Sequence, residues 1–137
     1  MRTIKFRAKY FADGKTWIYG DLIHKRTDKD CVLIQDPNGL GSDCIPETVC
    51  QYVSSHSADY EEIFEGDIIE EEESKRRYVV VFDDGAFRLA TKKQKESLDD
   101  GVHPLMGDYC ELPILAEELM CAPFHIIGNI FDNPDKL

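Results

Sequence analysis

The sequence predicts an all-β or β-dominated domain: antiparallel strands forming a small barrel-like core, with one or two short helices in an insertion. Three observations carry this. A glycine, then Asp or Asn, then two apolar residues recurs at Gly20-Asp21-Leu22-Ile23, Gly66-Asp67-Ile68-Ile69 and Gly128-Asn129-Ile130-Phe131, a pattern by which turns deliver the chain into strands. Period-two alternation opens the chain, and Asp-Gly turn signals separate short runs rich in Val, Ile, Tyr and Phe. Gly20, Gly66, Gly85 and Gly128 are therefore expected as turn glycines, with a structural role only.

Ile4, Phe6, Ala8 and Tyr10 alternate with Lys5, Arg7 and Lys9, which reads as a half-buried strand with an apolar core face and a solvated basic face. Ala12-Asp13-Gly14-Lys15 turns the chain, and Thr16-Trp17-Ile18-Tyr19 begins the returning strand. A third strand, Cys31 to Gln35, is stopped by Asp36-Pro37-Asn38-Gly39, and a loop rich in Gly and Asp runs on through Asp43. Thr48 to Val53 reads as a further strand.

From Ile68 the chain runs through Glu70–Glu73 to Ser74-Lys75-Arg76-Arg77 and on to Tyr78-Val79-Val80-Val81-Phe82. A hairpin about Ser74 sets the glutamates against the basic residues, with cross-strand pairs of roughly 0.2–1 kcal/mol each helping to fix register. Asp83-Asp84-Gly85 turns into Ala86-Phe87-Arg88-Leu89, completing a meander. Thr91 to Leu98 reads as a short exposed helix or a loop, and Asp99 to Cys110 as an irregular excursion. Leu112 to Cys121 is helix-compatible, with Pro113 suited to a first helical position. Phe124 to Phe131 reads as a buried strand, ended by Asp132-Asn133-Pro134, that returns to pair with earlier ones. The expectation is one domain over 1–137 with a polar insertion at 91–123.

Composition narrows the function classes. A chain of 137 residues, 42% hydrophobic and 31% charged, has the make-up of an ordinary soluble protein with a core of its own. No apolar run approaches the roughly 20 residues a spanning helix needs, and Met1 to Arg7 lacks the apolar stretch of a signal peptide. A cytoplasmic location and no membrane association are expected. The five cysteines, Cys31, Cys44, Cys50, Cys110 and Cys121, form no C-x-x-C pair and read as free, buried thiols, ahead of a zinc site from Cys44, Cys50 and a histidine. The net charge is −11. Residues 1–30 carry eight basic and four acidic side chains, residues 31–137 eight and 23. So acidic a chain is a poor general nucleic-acid binder; the asymmetry suits head-to-tail self-association, a basic partner, or simple solubility.

Several stretches together resemble a known family. They are Ile4-Lys5-Phe6-Arg7-Ala8, Tyr19-Gly20-Asp21-Leu22-Ile23, Pro46-Glu47-Thr48-Val49, Gln51-Tyr52, Glu62-Ile63-Phe64-Glu65-Gly66-Asp67-Ile68, Val81-Phe82-Asp83-Asp84-Gly85, and Ile127-Gly128-Asn129-Ile130-Phe131-Asp132-Asn133-Pro134. In this order and spacing they resemble the YopX family of phage and prophage proteins, over nearly the whole chain. The resemblance implies a mostly β fold and a phage or mobile-element origin, and brings no catalytic residues with it. One departure is Val53-Ser54-Ser55-His56-Ser57-Ala58-Asp59-Tyr60, where members typically show a Thr-Gly-Leu-x-Asp-x-x-Gly type loop.

The chemistry-bearing residues each have a bland alternative. Asp67, Asp83 and Asp84 could serve acid–base or metal chemistry, but turn bonding explains all three. His24, His56, His103 and His125 lack metal-ligand spacing. His125, inside an apolar run, reads as a satisfied core or edge-strand residue. A His103–Cys110 nucleophile pair lacks an orienting group, and Gly39-Leu40-Gly41-Ser42 lacks the lysine of a phosphate loop. Lys5, Arg7 and Lys9, with Tyr10, Phe11 and Trp17 nearby, are the candidate nucleic-acid contacts. The preferred expectation is a non-enzymatic accessory protein that binds a protein partner or itself, with no cofactor. A nucleic-acid-associated protein is the first alternative and a metal-dependent hydrolase the second.

Overall fold

Alternation along the N-terminal segment becomes a strand as expected. The structure is a computed structural model that describes residues 2–25, 30–54, 57–101, 114–115, 117–118 and 122–137. The chain divides into two compact units, Met1–Tyr52 and Val53–Leu137.

In the first unit, β1 (Phe6–Lys9), β2 (Trp17–Ile23), β3 (Val32–Gln35), β4 (Gly41–Cys44) and β5 (Cys50–Ser54) are joined in the order β4-β3-β2-β1-β5. The pairings β1–β2, β2–β3, β3–β4 and β1–β5 are all antiparallel. The β1–β2 turn is held by Asp13, whose Oδ1 accepts from the Lys15 and Thr16 amides and whose Oδ2 accepts from the Thr16 hydroxyl. Those bonds favour the charged carboxylate and lower its pKa from 3.8 to about 2. Just past β1, Tyr10 bridges Cys44 of β4, the Phe11 amide donates to Asp43 O, and the Ile45 amide to Lys9 O. The far strand thus returns to the end of the first. Of the two sheets in the fold, one is a half-barrel, and the predicted barrel-like, β-dominated class holds. Ala8, Val32, Ile34 and Cys44 form the core of this unit, with Phe6, Ile18, Leu22 and Val49 packed against them. A 3-10 turn, Pro46–Thr48, places the Thr48 hydroxyl to accept from the Lys9 amide.

The second unit holds β6 (Ile63–Phe64), β7 (Asp67–Glu71), β8 (Arg77–Asp83), β9 (Ala86–Ala90), α1 (Lys92–Asp99) and β10 (Phe124–Asn129). Its antiparallel sheet runs β10-β7-β8-β9. The meander stands as predicted, and the C-terminal strand returns to pair with β7, but at the sheet edge and half-buried over its middle four residues rather than buried. Glu70 is the register partner of Arg77, and their side chains meet at 2.9 Å. The unbroken run Val79-Val80-Val81 has a physical reason, because both faces of β8 are covered. Val80 packs with Ile63, Ile69, Leu89, Leu115 and Phe124; Val79 and Val81 pack with Ala90, Leu98, Ile130 and Leu137. Thr91 and Gln94 form a reciprocal capping box at the start of α1.

Two expectations need correction. The Gly-Asp-rich loop contains β4, a strand with no strand-forming composition that exists because β3 and Tyr10 pair with it from either side. Gly20 and Gly128 lie inside β2 and β10 rather than at turns. They are glycines because a Cβ on Gly20 would sit 1.9 Å from Gln35 O, and one on Gly128 2.5 Å from Asn133 Oδ1. The irregular excursion from 102 on, the helix start at Pro113, His56, His103, Cys110 and Cys121 lie outside the described residues. Among the described residues no helix is long and apolar enough to cross a membrane.

Candidate functional site

The register of the first sheet decides which side chains share a face. Arg7 is opposite Tyr19 and Cys50, and Lys9 is opposite Trp17; directly opposed residues in an antiparallel pair point the same way. Cations and aromatics do alternate within β1, as predicted, yet the neighbouring strands bring aromatics onto the cationic face. Lys5 Nζ lies 5.0 Å from the centroid of the Tyr52 ring. Arg7 Cζ lies 4.6 Å, and Lys9 Nζ 5.3 Å, from that of Trp17. This corrects the expectation of a solvated basic face. Arg7 and Lys9 are only 7% and 9% exposed, because their long apolar stems and flat or compact charges pack well on ring faces.

Further along β2 the same face opens to solvent. Tyr19 is 45% and Ile23 39% exposed, with Asp21 between them also exposed. Ile23 is opposite Leu33 of β3, which is half-buried and lies against Gly41. Tyr19, Ile23 and Leu33 therefore lie along one strip of the outer face of β2 and β3, interrupted between Tyr19 and the Ile23–Leu33 pair by the polar pair Asp21–Gln35. Sequence reasoning treated Tyr19 and Ile23 only as strand residues. The alternation of Tyr19, Asp21 and Ile23 against Ile18, Gly20 and Leu22 could have exposed the strip, had the core face of β2 been known.

Of the predicted carboxylates, Asp67 bonds to backbone and Asp84 forms a turn. Asp67 is buried, and its Oδ2 accepts from the Phe64 amide at 2.8 Å. Asn129, its counterpart in the third repeat, accepts from the Phe131 and Asp132 amides, as Asx-type bonding predicts. Asp84 and Gly85 both have positive φ, 46° and 76°, the backbone of a two-residue hairpin turn. Cys31, Cys44 and Cys50 are buried free thiols. Cys44 belongs to the core, whereas Cys50 shares the opposite, Arg7 face of the sheet, so the two cannot converge on one zinc ion. Burial pushes the Cys44 thiol pKa up. Among the described residues no three His, Cys, Asp or Glu side chains cluster as a metal site.

His125 is on the edge strand β10, and its Nδ1 is 2.7 Å from Asp59 Oδ2. Its Nε2 is 3.8 Å from Glu72 Oε2. The Asp59 hydrogen bond raises the imidazole pKa, helped by both carboxylate charges and opposed by desolvation and Lys75. Asp59 belongs to the segment in which the sequence departs from the resembling family, and the Ala58 amide donates to Phe124 O beside it.

A family model described as YopX protein matches residues 5–137. The chain belongs to the YopX family. No curated protein matches it. The match spans both units of this YopX protein, so the aromatic–cation packing of β1, β2 and β5 and the Asp67 and Asn129 turns all lie within the family region.

Proposed function

We propose that this YopX protein is a non-enzymatic phage or prophage accessory protein that acts in the bacterial cytoplasm as a binding module. It engages a protein partner through the Tyr19–Ile23–Leu33 strip on the outer face of β2 and β3. The observation that carries this reading is the pairing of exposure with alignment. Two large apolar side chains of one strand stand 45% and 39% exposed on the same face, beside Leu33. Exposed apolar side chains on one face, bordered by polar residues such as Asp21 and Gln35, mark interaction sites, and tyrosine is a favoured anchor in such contacts. The reading treats the chain as one functional domain, with the polar stretch 91–123 as an insertion.

The nucleic-acid reading keeps Lys5, Arg7 and Lys9 as its contacts, and the cation–aromatic interleaving is what favours it. Burial of Arg7 and Lys9 weighs against it, since phosphate contacts need charges that reach outward. Head-to-tail self-association driven by charge is also weakened. The first unit has eight basic and seven acidic side chains, the second eight and 20, so the first unit is close to neutral.

Capture from host lysate with wild-type and Tyr19→Ser/Ile23→Ser bait tests the proposal. The expected result is one stoichiometric protein, retained at moderate salt and lost with the variant. Recovery of nucleic acid that disappears with salt, unaffected by the variant, would overturn it in favour of the cationic reading.

A further inference from the structure

A cavity of about 340 Å³ opens in the first unit, away from the cation–aromatic packing. Its walls are Leu22, Val32, Pro46 and Val49, and its polar groups are His24, Lys25 and Cys31. Leu22, Val32 and Val49 also pack in the barrel core, so the apolar floor is continuous with that core. The size falls at the lower end of the range for small-molecule sites, which combine apolar walls with a few convergent polar groups.

Lysine chemistry selects the ligand. Lys25 follows β2, and its Nζ donates to Cys31 Sγ at 3.6 Å and pairs with Asp43 Oδ1 at 2.5 Å. The Asp43 contact raises the Lys25 pKa, so the ammonium stays charged over the physiological range. An ammonium has three N–H donors; sulfur and Asp43 use two, leaving one for a ligand. The exposed His24 imidazole adds a second donor at the rim. Cys31, 6% exposed, supplies a soft wall beside the charge.

We infer that this cavity binds a small organic carboxylate, its apolar body on Leu22, Val32, Pro46 and Val49 and its charged end at Lys25 and His24. Asp43 already offsets the Lys25 charge, so selection rests on hydrogen bonding: the site offers the remaining ammonium N–H and the His24 ring, and a carboxylate accepts from them more strongly than a neutral head group does. This inference is independent of the outer strip on β2 and β3.

Hexanoate, hexanol and hexylamine are the probes, matched in apolar body and differing in head group. Two readouts are followed on the full chain: the rate of Cys31 alkylation by iodoacetamide, and the methyl resonances of Leu22, Val32 and Val49. Hexanoate is expected to slow Cys31 alkylation about tenfold or more and to shift these methyls, while hexanol and hexylamine do neither at equal concentration. Lys25→Met should weaken hexanoate by about tenfold or more with methyl dispersion intact, the loss of one charge-assisted contact. Equal effects from all three probes would overturn the proposal, since the head group would then not matter. So would unshifted methyls at about 50 mM hexanoate, a concentration that would saturate even a millimolar site.

Discussion

Arg7 is the register partner of Tyr19, yet its guanidinium stacks on Trp17, the diagonal neighbour, with Cζ 4.6 Å from the ring centroid. Lys9, opposite Trp17 in register, approaches the same ring at 5.3 Å. One indole thus covers two cations of β1, and the β1–β2 hairpin is fastened on the face away from the barrel core. Truncating Trp17 to Ala should cost about 2–4 kcal/mol, the range for losing a large packed aromatic together with its cation contacts. A double-mutant cycle of Trp17→Leu with Arg7→Met, followed by urea unfolding, should give a coupling of about 1 kcal/mol. Additive effects would mean that the ring and the guanidinium merely share space.

Two glycines separate close approach from backbone conformation. At Gly20 a Cβ would lie 1.9 Å from Gln35 O, so Gly20→Ala must push β2 off β3 and should cost about 3 kcal/mol or more, or prevent folding outright. At Gly85 a Cβ meets nothing within 4 Å, and only its φ of +76° opposes a side chain. Gly85→Ala should cost about 1–2 kcal/mol. Thermal unfolding of the pair checks the order; equal losses would contradict the geometry.

Asp67 tests the structural reading of the carboxylates. Removing its acceptor leaves the buried Phe64 amide without that bond, so Asp67→Ala should destabilise by about 1–3 kcal/mol. Magnesium, manganese and calcium should leave the melting temperature of the wild type unchanged, because a ligand that binds only the native state must raise it. A cation-dependent rise abolished by Asp67→Ala would revive the hydrolase alternative.

The His125–Asp59 contact gives stability a pH dependence of known sign. The folded pKa lies above the ordinary value of 6.5, so the native state binds the proton more tightly than the unfolded chain does. That contribution is fully present below the unfolded pKa and is lost as pH rises through the folded pKa. Melting temperatures scanned between about pH 5 and about pH 9 should therefore fall across that window in the wild type. The His125→Gln variant should show a flatter profile there. An unchanged profile would mean that the imidazole is not coupled to folding.

How much of this was legible in the sequence follows from what each element depends on. Turn chemistry is local, so the hairpins at Asp13, Ser74 and Asp84 could be read directly, whereas Asp67 was expected to bond forward along its turn and instead accepts from the Phe64 amide behind it. Alternation is local too, which gave β1 its two faces. Partner strands are not local. The strand β4 exists through β3 and Tyr10, and the fate of Arg7 and Lys9 depends on a register that places Trp17 beside them. The same applies to Gly20, whose need for glycine comes from Gln35 on another strand. The outer strip and the Lys25 cavity were invisible for that reason. Each joins residues of two or more strands, with nothing in any single segment to mark it.

The measurement that bears most directly on the binding proposal uses the fact that Trp17 is the sole tryptophan and lies two residues from Tyr19 on the same face. With 5-fluorotryptophan incorporated, the single fluorine resonance is observed as the captured host protein, and separately host nucleic acid, is titrated in. The account predicts that the protein shifts or broadens the resonance to a one-to-one end point, that nucleic acid does not, and that Tyr19→Ser/Ile23→Ser abolishes the response. A resonance that moves with nucleic acid and not with protein, or that the variant leaves unchanged, would contradict it.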